Sequence, residues 1–295
     1  MRIAVIGSQG QLGSDLVEVL SSAGRYQVVS LAHPQVDVTD RESVTGAIGK
    51  ESFEVVVNCA AFTRVDDCED SPGSALLVNG QGAFEVARAC AAARALCVHI
   101  STDYVFSGDK GLPYSEEDPV GPINVYGTSK LAGEILVRQA ADRWLIVRIS
   151  SVFGKAGSRA KGGNFVETIL SKARSGERVK IVNDIWMSPT YTRDAARCIE
   201  TLISLGASGL FHAPNGGRCT WFEFGTAALR IAGISAPVEP TSSASYPTKA
   251  RRPRDSSLSN NRLEKLLSHS IRPWEDALKA YLTEMGHVRG RGEAI

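Results

Sequence analysis

Apolar positions in this chain follow two alternating periods. Short runs rich in β-branched residues at 2–6, 27–31, 54–60, 96–101, 144–149 and 209–213 read as strands. Apolar residues at helical spacing fill 11–23, 40–49, 74–94, 125–141, 164–176, 192–205 and 221–232. Strand and helix taking turns in this way predicts an α/β fold, a doubly wound parallel sheet whose right-handed crossovers place helices on both faces. The stretch after Phe153, interrupted by Gly154, Gly157, Gly162 and Gly163, departs from the alternation, as does Pro237 to Arg254. Both are assigned to a smaller lobe.

The first strand ends directly in glycine. Gly7, Gly10 and Gly13 then open a helix with apolar residues at Leu12, Leu16, Val19 and Leu20. In such a strand-turn-helix unit the three glycines allow a tight turn, close approach of the backbone to a pyrophosphate, and close packing of helix on strand. The helix N-terminus offers unpaired N–H groups to anionic oxygens. The spacing is GxxGxxG rather than GxGxxG, and its position between a strand and a helix carries the Rossmann-like, dinucleotide-binding reading. At the end of the second strand an acid would select NAD and a base would accept the 2′-phosphate of NADP. Ser30-Leu31-Ala32-His33 has neither. The choice between NADH and NADPH therefore stays open. Asp40, just before the next helix, reads as its N-cap.

A second signal is Tyr126-Gly127-Thr128-Ser129-Lys130, downstream of Ser101-Thr102-Asp103-Tyr104. A tyrosine and a lysine four apart on a helix share one face, about 6 Å apart along the axis. A free tyrosine titrates near pH 10 until a nearby cation stabilises its phenolate, and Lys130 supplies that cation. A hydroxyl from Thr102 or Ser101 would meet a substrate oxygen from the other side while Tyr126 gives or takes a proton. Y-x-x-x-K alone is common on helices; the glycine turn upstream makes it a candidate for nicotinamide chemistry. In such sheets ligands sit beyond the strand C-termini, so the glycine turn, Cys59 to Thr63, Ser101 to Tyr104 and Ser150-Ser151 should converge on one cleft.

Composition adds limits. With 295 residues and a formal net charge of +1, the chain shows no global pull toward nucleic acid or membrane. No apolar stretch approaches the ~20 residues that span a bilayer, and the N-terminus reads as a strand rather than a signal peptide, so a cytoplasmic location is expected. Six cysteines without CxxC spacing read as free thiols, and five scattered histidines give no metal site.

Longer matches carry a resemblance. The glycine turn, Asn58-Cys59-Ala60-Ala61-Phe62-Thr63-Arg64-Val65-Asp66, Ser101 to Phe106, Asn124 to Glu134, Ser188-Pro189-Thr190-Tyr191, Tyr246-Pro247-Thr248, Arg252-Pro253 and Ser256-Ser257-Leu258 follow one another in order. Through them the chain resembles the dTDP-4-dehydrorhamnose reductase family of extended short-chain dehydrogenases/reductases. The resemblance implies hydride transfer from NADPH or NADH to the C4 ketone of a nucleotide-linked 6-deoxy-4-ketohexose. It implies Thr102, Tyr126 and Lys130 as the catalytic set. Gly7, Gly10, Gln11, Leu12, Gly13, Ala60, Ala61 and Thr63 would line the cofactor together with Tyr126 and Lys130. Asp103 would contact the sugar, although a local turn cap accounts for an aspartate there equally well. Arg252, in Lys249 to Arg254, would meet the diphosphate. Trp221 and Trp274 read as packing residues.

The implied organisation is a dinucleotide-binding domain at 1–153, with 192–214 returning to it, a substrate-binding lobe at 154–191 and 215–285, and a disordered tail at 286–295. The expected partner is a nucleotide sugar, with no nucleic acid or membrane and with a homodimer left open. One departure concerns specificity. Where the family carries Thr-Ser-Trp-Val-Tyr, this chain reads Ile149-Ser150-Ser151-Val152-Phe153, which puts Ser151 at the sugar-facing position. Trp186 is a candidate to replace the missing indole, or the pocket takes a different sugar. Two other functions fit the same residues: a reductase or epimerase of another sugar nucleotide, and a non-catalytic subunit resembling the regulatory subunit of methionine adenosyltransferase.

Overall fold

The computed structural model describes residues 1–157 and 163–288. From the N-terminus the elements are β1 (Arg2–Ile6), α1 (Gln11–Ser22), β2 (Gln27–Leu31), α2 (Arg41–Gly49), β3 (Val55–Asn58), α3 (Val65–Asp70), α4 (Pro72–Leu76), α5 (Gly82–Ala92), β4 (Leu96–Thr102), α6 (Val125–Ala140) and β5 (Trp144–Ile149). There follow β6 (Val152–Phe153), α7 (Phe165–Arg174), β7 (Val179–Val182), β8 (Trp186–Met187), β9 (Thr190–Tyr191), α8 (Thr192–Ser204), β10 (Gly209–His212), β11 (Cys219–Thr220), α9 (Trp221–Ile231), β12 (Val238–Thr241), α10 (Asn261–Leu267) and α11 (Trp274–Glu284). The six strands read from the apolar runs form one sheet in the order β10-β5-β4-β3-β1-β2. All of its pairs are parallel. The expected doubly wound sheet is what the chain forms.

Its strands are apolar without a break because both faces are covered. In β1, Ile3 and Val5 join Leu12, Leu16 and Leu20 of α1 and Ile199, Leu202 and Ile203 of α8. Ala4 and Ile6 point the other way, to Val44 and Ile48 of α2 and Val86 and Cys90 of α5. Successive strand residues thus feed opposite layers. A further apolar cluster lies apart from the sheet: Val166 and Leu170 of α7, Phe224 and Ala228 of α9, and Leu278 and Leu282 of α11, with Phe153 and Tyr191.

Three details depart from the sequence reading. The long helix expected at 74–94 starts at Pro72 and contains a π turn at Leu77–Gln81. Helices α3, α10 and α11 were not foreseen, nor was the parallel pair β7–β12. The anticipated frayed end begins with ordered contacts, since His287 Nε2 lies 2.9 Å from Glu167 Oε2. The rest of that segment, 289–295, lies outside the described residues, as does Gly162. Asp40 caps α2 by accepting from the Glu42 N–H.

The chain winds outward from β1 to β2, then returns and winds the other way through β3, β4, β5 and β10. The direction changes between β1 and β3, and the loops leaving their C-terminal ends part there to leave a crevice.

Candidate active site

Gly7 and Ala60 flank that crevice at its floor. Gly7 has φ +72°, and a Cβ on it would come within 2.9 Å of the Ala60 nitrogen. A Cβ on Gly13 would lie 2.2 Å from the Gly7 carbonyl oxygen. Both glycines are therefore required for α1 to sit down on the end of β1. Helix α1 has no side-chain cap and no acid in its first turn, so its leading N–H groups face the cavity ready for an anion. The Gln11 Nε2 is buried and has no hydrogen-bond partner among the described residues. An unpaired amide donor beside bare helix N–H groups is what a bound pyrophosphate would satisfy, so the turn fits the dinucleotide.

A cavity of about 480 Å³ opens above it, lined by Gly10 to Gly13, Cys59, Ala61, Thr63, Ser101 to Tyr104, Tyr126, Lys130 and Ser151. Eleven of the residues singled out from sequence thus meet in one place: Gly10, Gln11, Leu12, Gly13, Ala61, Thr63, Thr102, Asp103, Tyr126, Lys130 and Ser151. Gly7 and Ala60 support the floor. Arg252 does not line the cavity; its Nη2 is 3.0 Å from Asp66 Oδ2 and its Nη1 donates to the Ala250 carbonyl. A larger concavity at the opposite end of the sheet, lined by Met1, Phe53, Glu54 and Arg94 among others, contains none of the predicted residues.

Helix α6 is placed by its N-terminus. Asn124 caps α6 by accepting from the Gly127 N–H at 2.7 Å, and its amide donates to the Arg251 carbonyl at 2.8 Å. One turn in, Lys130 points inward and donates to the Ile100 carbonyl of β4 at 2.6 Å. Burial pushes its ammonium down to about 8, against a smaller upward pull from Glu134 and Cys59. The Tyr126 phenol is pushed upward, by burial first and then by the charge of Asp103, while a hydrogen bond with Thr102 acts in the other direction. Tyr104 packs edge-on against Tyr126, ring centroids 5.9 Å apart.

Behind α6 a buried pair fixes its angle to the sheet. Arg148 of β5 makes two bonds to Glu134, Nε to Oε1 at 2.8 Å and Nη2 to Oε2 at 2.7 Å. Ser101 donates to the same carboxylate at 2.6 Å. The Ser101 hydroxyl is thus taken up by Glu134, and Thr102 is left as the hydroxyl beside Tyr126. The Asp103 carboxyl, pushed up to about 6 by burial, accepts from Thr102 at 3.0 Å and from Ser256 at 2.5 Å.

Sequence reasoning missed two contributors. Trp221, read as a packing residue, lines the cavity with Phe165 and Phe224. It meets Phe165 edge-on at 4.7 Å between centroids. Trp186 is not in the lining; Arg218 lies 4.8 Å over its ring, and β8 pairs it with Thr220. Trp274 is buried among Phe224 and its neighbours, as a packing residue. Ser256, which touches Asp103, sits within a stretch quoted only for its resemblance. The cue was a serine pair that follows the Arg252-Pro253 match after two intervening residues.

The model of the RmlD substrate binding domain family matches residues 1–287. The chain belongs to this family. It is 40% identical over 285 residues to the spore coat polysaccharide biosynthesis protein SpsK of Bacillus subtilis, covering 96% of this chain and 97% of that one. It is 37% identical over 279 residues to the dTDP-4-keto-6-deoxy-D-glucose reductase of Streptomyces niveus, covering 94% and 95%. Among solved structures it superposes with a TM-score of 0.91 on the dTDP-4-dehydrorhamnose reductase of Bacillus anthracis in complex with NADP. That pair shares 34% identity, over 96% of this chain and 99% of the other.

Among the described residues no helix is long and apolar enough to cross a membrane. No group of three potential metal ligands occurs among them either.

Proposed function

We propose that this protein reduces the C4 ketone of a nucleotide-linked 4-keto-6-deoxyhexose, most directly dTDP-4-dehydro-L-rhamnose to dTDP-L-rhamnose, with NADPH or NADH as reductant and Tyr126 as proton donor. The observation that carries the reading is the convergence of Thr102, Tyr126 and Lys130 on one cavity with the glycine turn, in a member of this family. Bound in the crevice, a nicotinamide nucleotide supplies the hydride. The chain's own residues do the rest.

Gly10 to Gly13 and the Gln11 amide hold the pyrophosphate, and Ala60, Ala61 and Thr63 border the nucleotide. Tyr126 protonates the alkoxide as it forms, which a phenol held in its neutral form by burial is able to do. Lys130, charged below pH ~8, stabilises the phenolate left behind and holds the nicotinamide ribose. Thr102 hydrogen-bonds the ketone oxygen. Asp103 and Ser151 face the sugar, and Arg252, now paired with Asp66, turns to the diphosphate when it enters. The division into a dinucleotide-binding domain (1–153 and 192–214) and a substrate lobe (154–191 and 215–285) belongs to the same proposal. Packing of α7, α9 and α11 in a cluster of their own supports it.

The similarity to the Streptomyces niveus enzyme favours one second reading, in which the substrate is dTDP-4-keto-6-deoxy-D-glucose. Ser151, the half-buried residue with φ +45° on the cavity wall, is where the two readings would part. Presenting both ketosugars separately with NADPH and identifying the products by chromatography and NMR decides between them. Reduction of neither, by protein that binds NADPH, contradicts the proposed reaction.

A further inference from the structure

We propose that Asp103 is a positioning residue for this reduction: its carboxyl, caged by hydroxyls from separate parts of the chain, sets the direction of the single proton on Thr102. The inference rests on the ketone-reductase reading and gives Asp103 a task beyond contact with the sugar.

The one proton of Thr102 is already committed. Its Oγ1 donates to Asp103 Oδ1 at 3.0 Å and accepts from the Tyr104 N–H at 3.2 Å. The Tyr126 phenol lines the same cavity. A threonine hydroxyl has a single proton, and here it is spent on Asp103. While Asp103 is ionised, the proton that should reach a ketone oxygen is drawn to a carboxylate instead. A neutral Asp103 reverses the bond. Its own O–H donates to Thr102 Oγ1, and the threonine proton is released toward the cavity, where Tyr126 also turns to the substrate oxygen.

The cage is built to hold that carboxyl in place. Ser256, 2% exposed, donates to Oδ2 at 2.5 Å, and Ser150, just past β5 and 1% exposed, lies beside the carboxyl and helps hold its pKa down. Among the described residues no lysine, arginine or histidine forms an ion pair with it, and burial favours the neutral acid. The charged and titratable groups around it are the phenols of Tyr104 and Tyr126, and Lys130 of α6 across the same cavity. Arg252 and Asp66 act on Tyr104, and Cys68 acts on Tyr126. Ser256 belongs to the segment that bridges Trp186 and Asp255, through Ser256 N to the Trp186 carbonyl at 3.1 Å. Seating of that segment is therefore felt at Thr102.

The test is the pH dependence of kcat/KM for the 4-ketosugar in the wild type, Asp103→Asn and Ser256→Ala, each first shown to bind NADPH by nucleotide fluorescence. The wild type should lose at least tenfold in kcat/KM between pH 6 and pH 8. An asparagine amide donates to Thr102 as the neutral acid does but cannot ionise, so Asp103→Asn should change less than threefold over that range. Ser256→Ala removes a donor that favours the carboxylate, and its fall should move to higher pH. A flat wild-type profile overturns the inference, as does an Asp103→Asn profile that falls like the wild type. Should Asp103→Asn fail to bind NADPH, an unshifted Ser256→Ala profile overturns it. No turnover by cofactor-bound wild type at any pH overturns instead the reductase reading beneath it.

Discussion

A Cβ on Gly127 would lie 2.1 Å from the carbonyl oxygen of Tyr104. No side chain survives that distance, so the first turn of α6 presses directly on the backbone that follows Thr102. Of all the glycines in the motif, this one sets the separation between the tyrosine and the threonine.

Gly127→Ala should therefore push the N-terminus of α6 outward. The overpacking is expected to cost about 1–3 kcal/mol of stability, measured by urea unfolding. It should lower kcat by more than it weakens NADPH binding, because the nucleotide is held mainly by the turn at Gly7 to Gly13. A variant with normal kcat would show that Tyr126 does not depend on this contact.

The Lys130 ammonium titrates near 8, below the ordinary lysine range, because burial disfavours its charge. Activity that needs the charged form should fall as pH rises through 8. The sign for stability is opposite. Between pH 8 and the ordinary lysine value the unfolded chain holds a proton that the native protein has released, so this residue's contribution to stability rises with pH in that window. Lys130→Met should lose both turnover and cofactor affinity yet melt at the same temperature as the wild type or higher at pH 7. Calorimetry that found it much less stable would show that the bond to Ile100 outweighs the burial of the charge.

Glu134 and Arg148 are 1% and 2% exposed at the side chain. Removing one partner leaves the other as an uncompensated buried charge, which costs about 3–5 kcal/mol. Glu134→Gln should show a loss of that order in denaturant unfolding, with Ser101 also losing its acceptor. Equal loss from Ser101→Ala alone would contradict the central role given to the ion pair.

Trp221, Phe165 and Phe224 give the cavity an apolar wall. In the proposed reaction that wall meets the apolar parts of the 6-deoxysugar. Trp221→Ala should raise KM for the ketosugar about tenfold or more while leaving the NADPH dissociation constant within about twofold, since losing a packed aromatic is worth a kcal/mol or more. Steady-state kinetics with both substrates varied separates the two effects.

The parts of the site legible in the sequence were those whose residues lie close together in the chain. The glycine turn, the Tyr126–Lys130 spacing and the hydroxyl at Thr102 are local patterns on a strand end or one helix face. Their meeting point followed from the parallel sheet that alternation predicts, whose ligands sit beyond the strand C-termini. Trp221 packs as read, but its further place on the cavity wall depends on α9 packing against α7, which no short stretch encodes. Trp186 looked nearer in sequence to the family motif, but the β8–β11 pair and Arg218 hold it elsewhere. Arg252 was placed by its basic run and the Arg252-Pro253 match, and Asp66, which holds it, lies 186 residues earlier. The π turn at Leu77–Gln81 was hidden for another reason: a single widened turn leaves the apolar spacing of a long helix nearly unchanged.

The central claim is that Tyr126 donates the proton for reduction of a nucleotide-linked 4-ketosugar. The most direct measurement follows NADPH and NADH oxidation at the nicotinamide absorbance with enzymatically generated dTDP-4-dehydro-L-rhamnose, for the wild type beside Tyr126→Phe. The account predicts steady oxidation and a dTDP-L-rhamnose product for the wild type. For Tyr126→Phe it predicts a rate lower by about 10²–10⁴, the usual worth of a general acid, with NADPH affinity nearly unchanged. Undiminished oxidation by Tyr126→Phe, or none by cofactor-bound wild type, would contradict it.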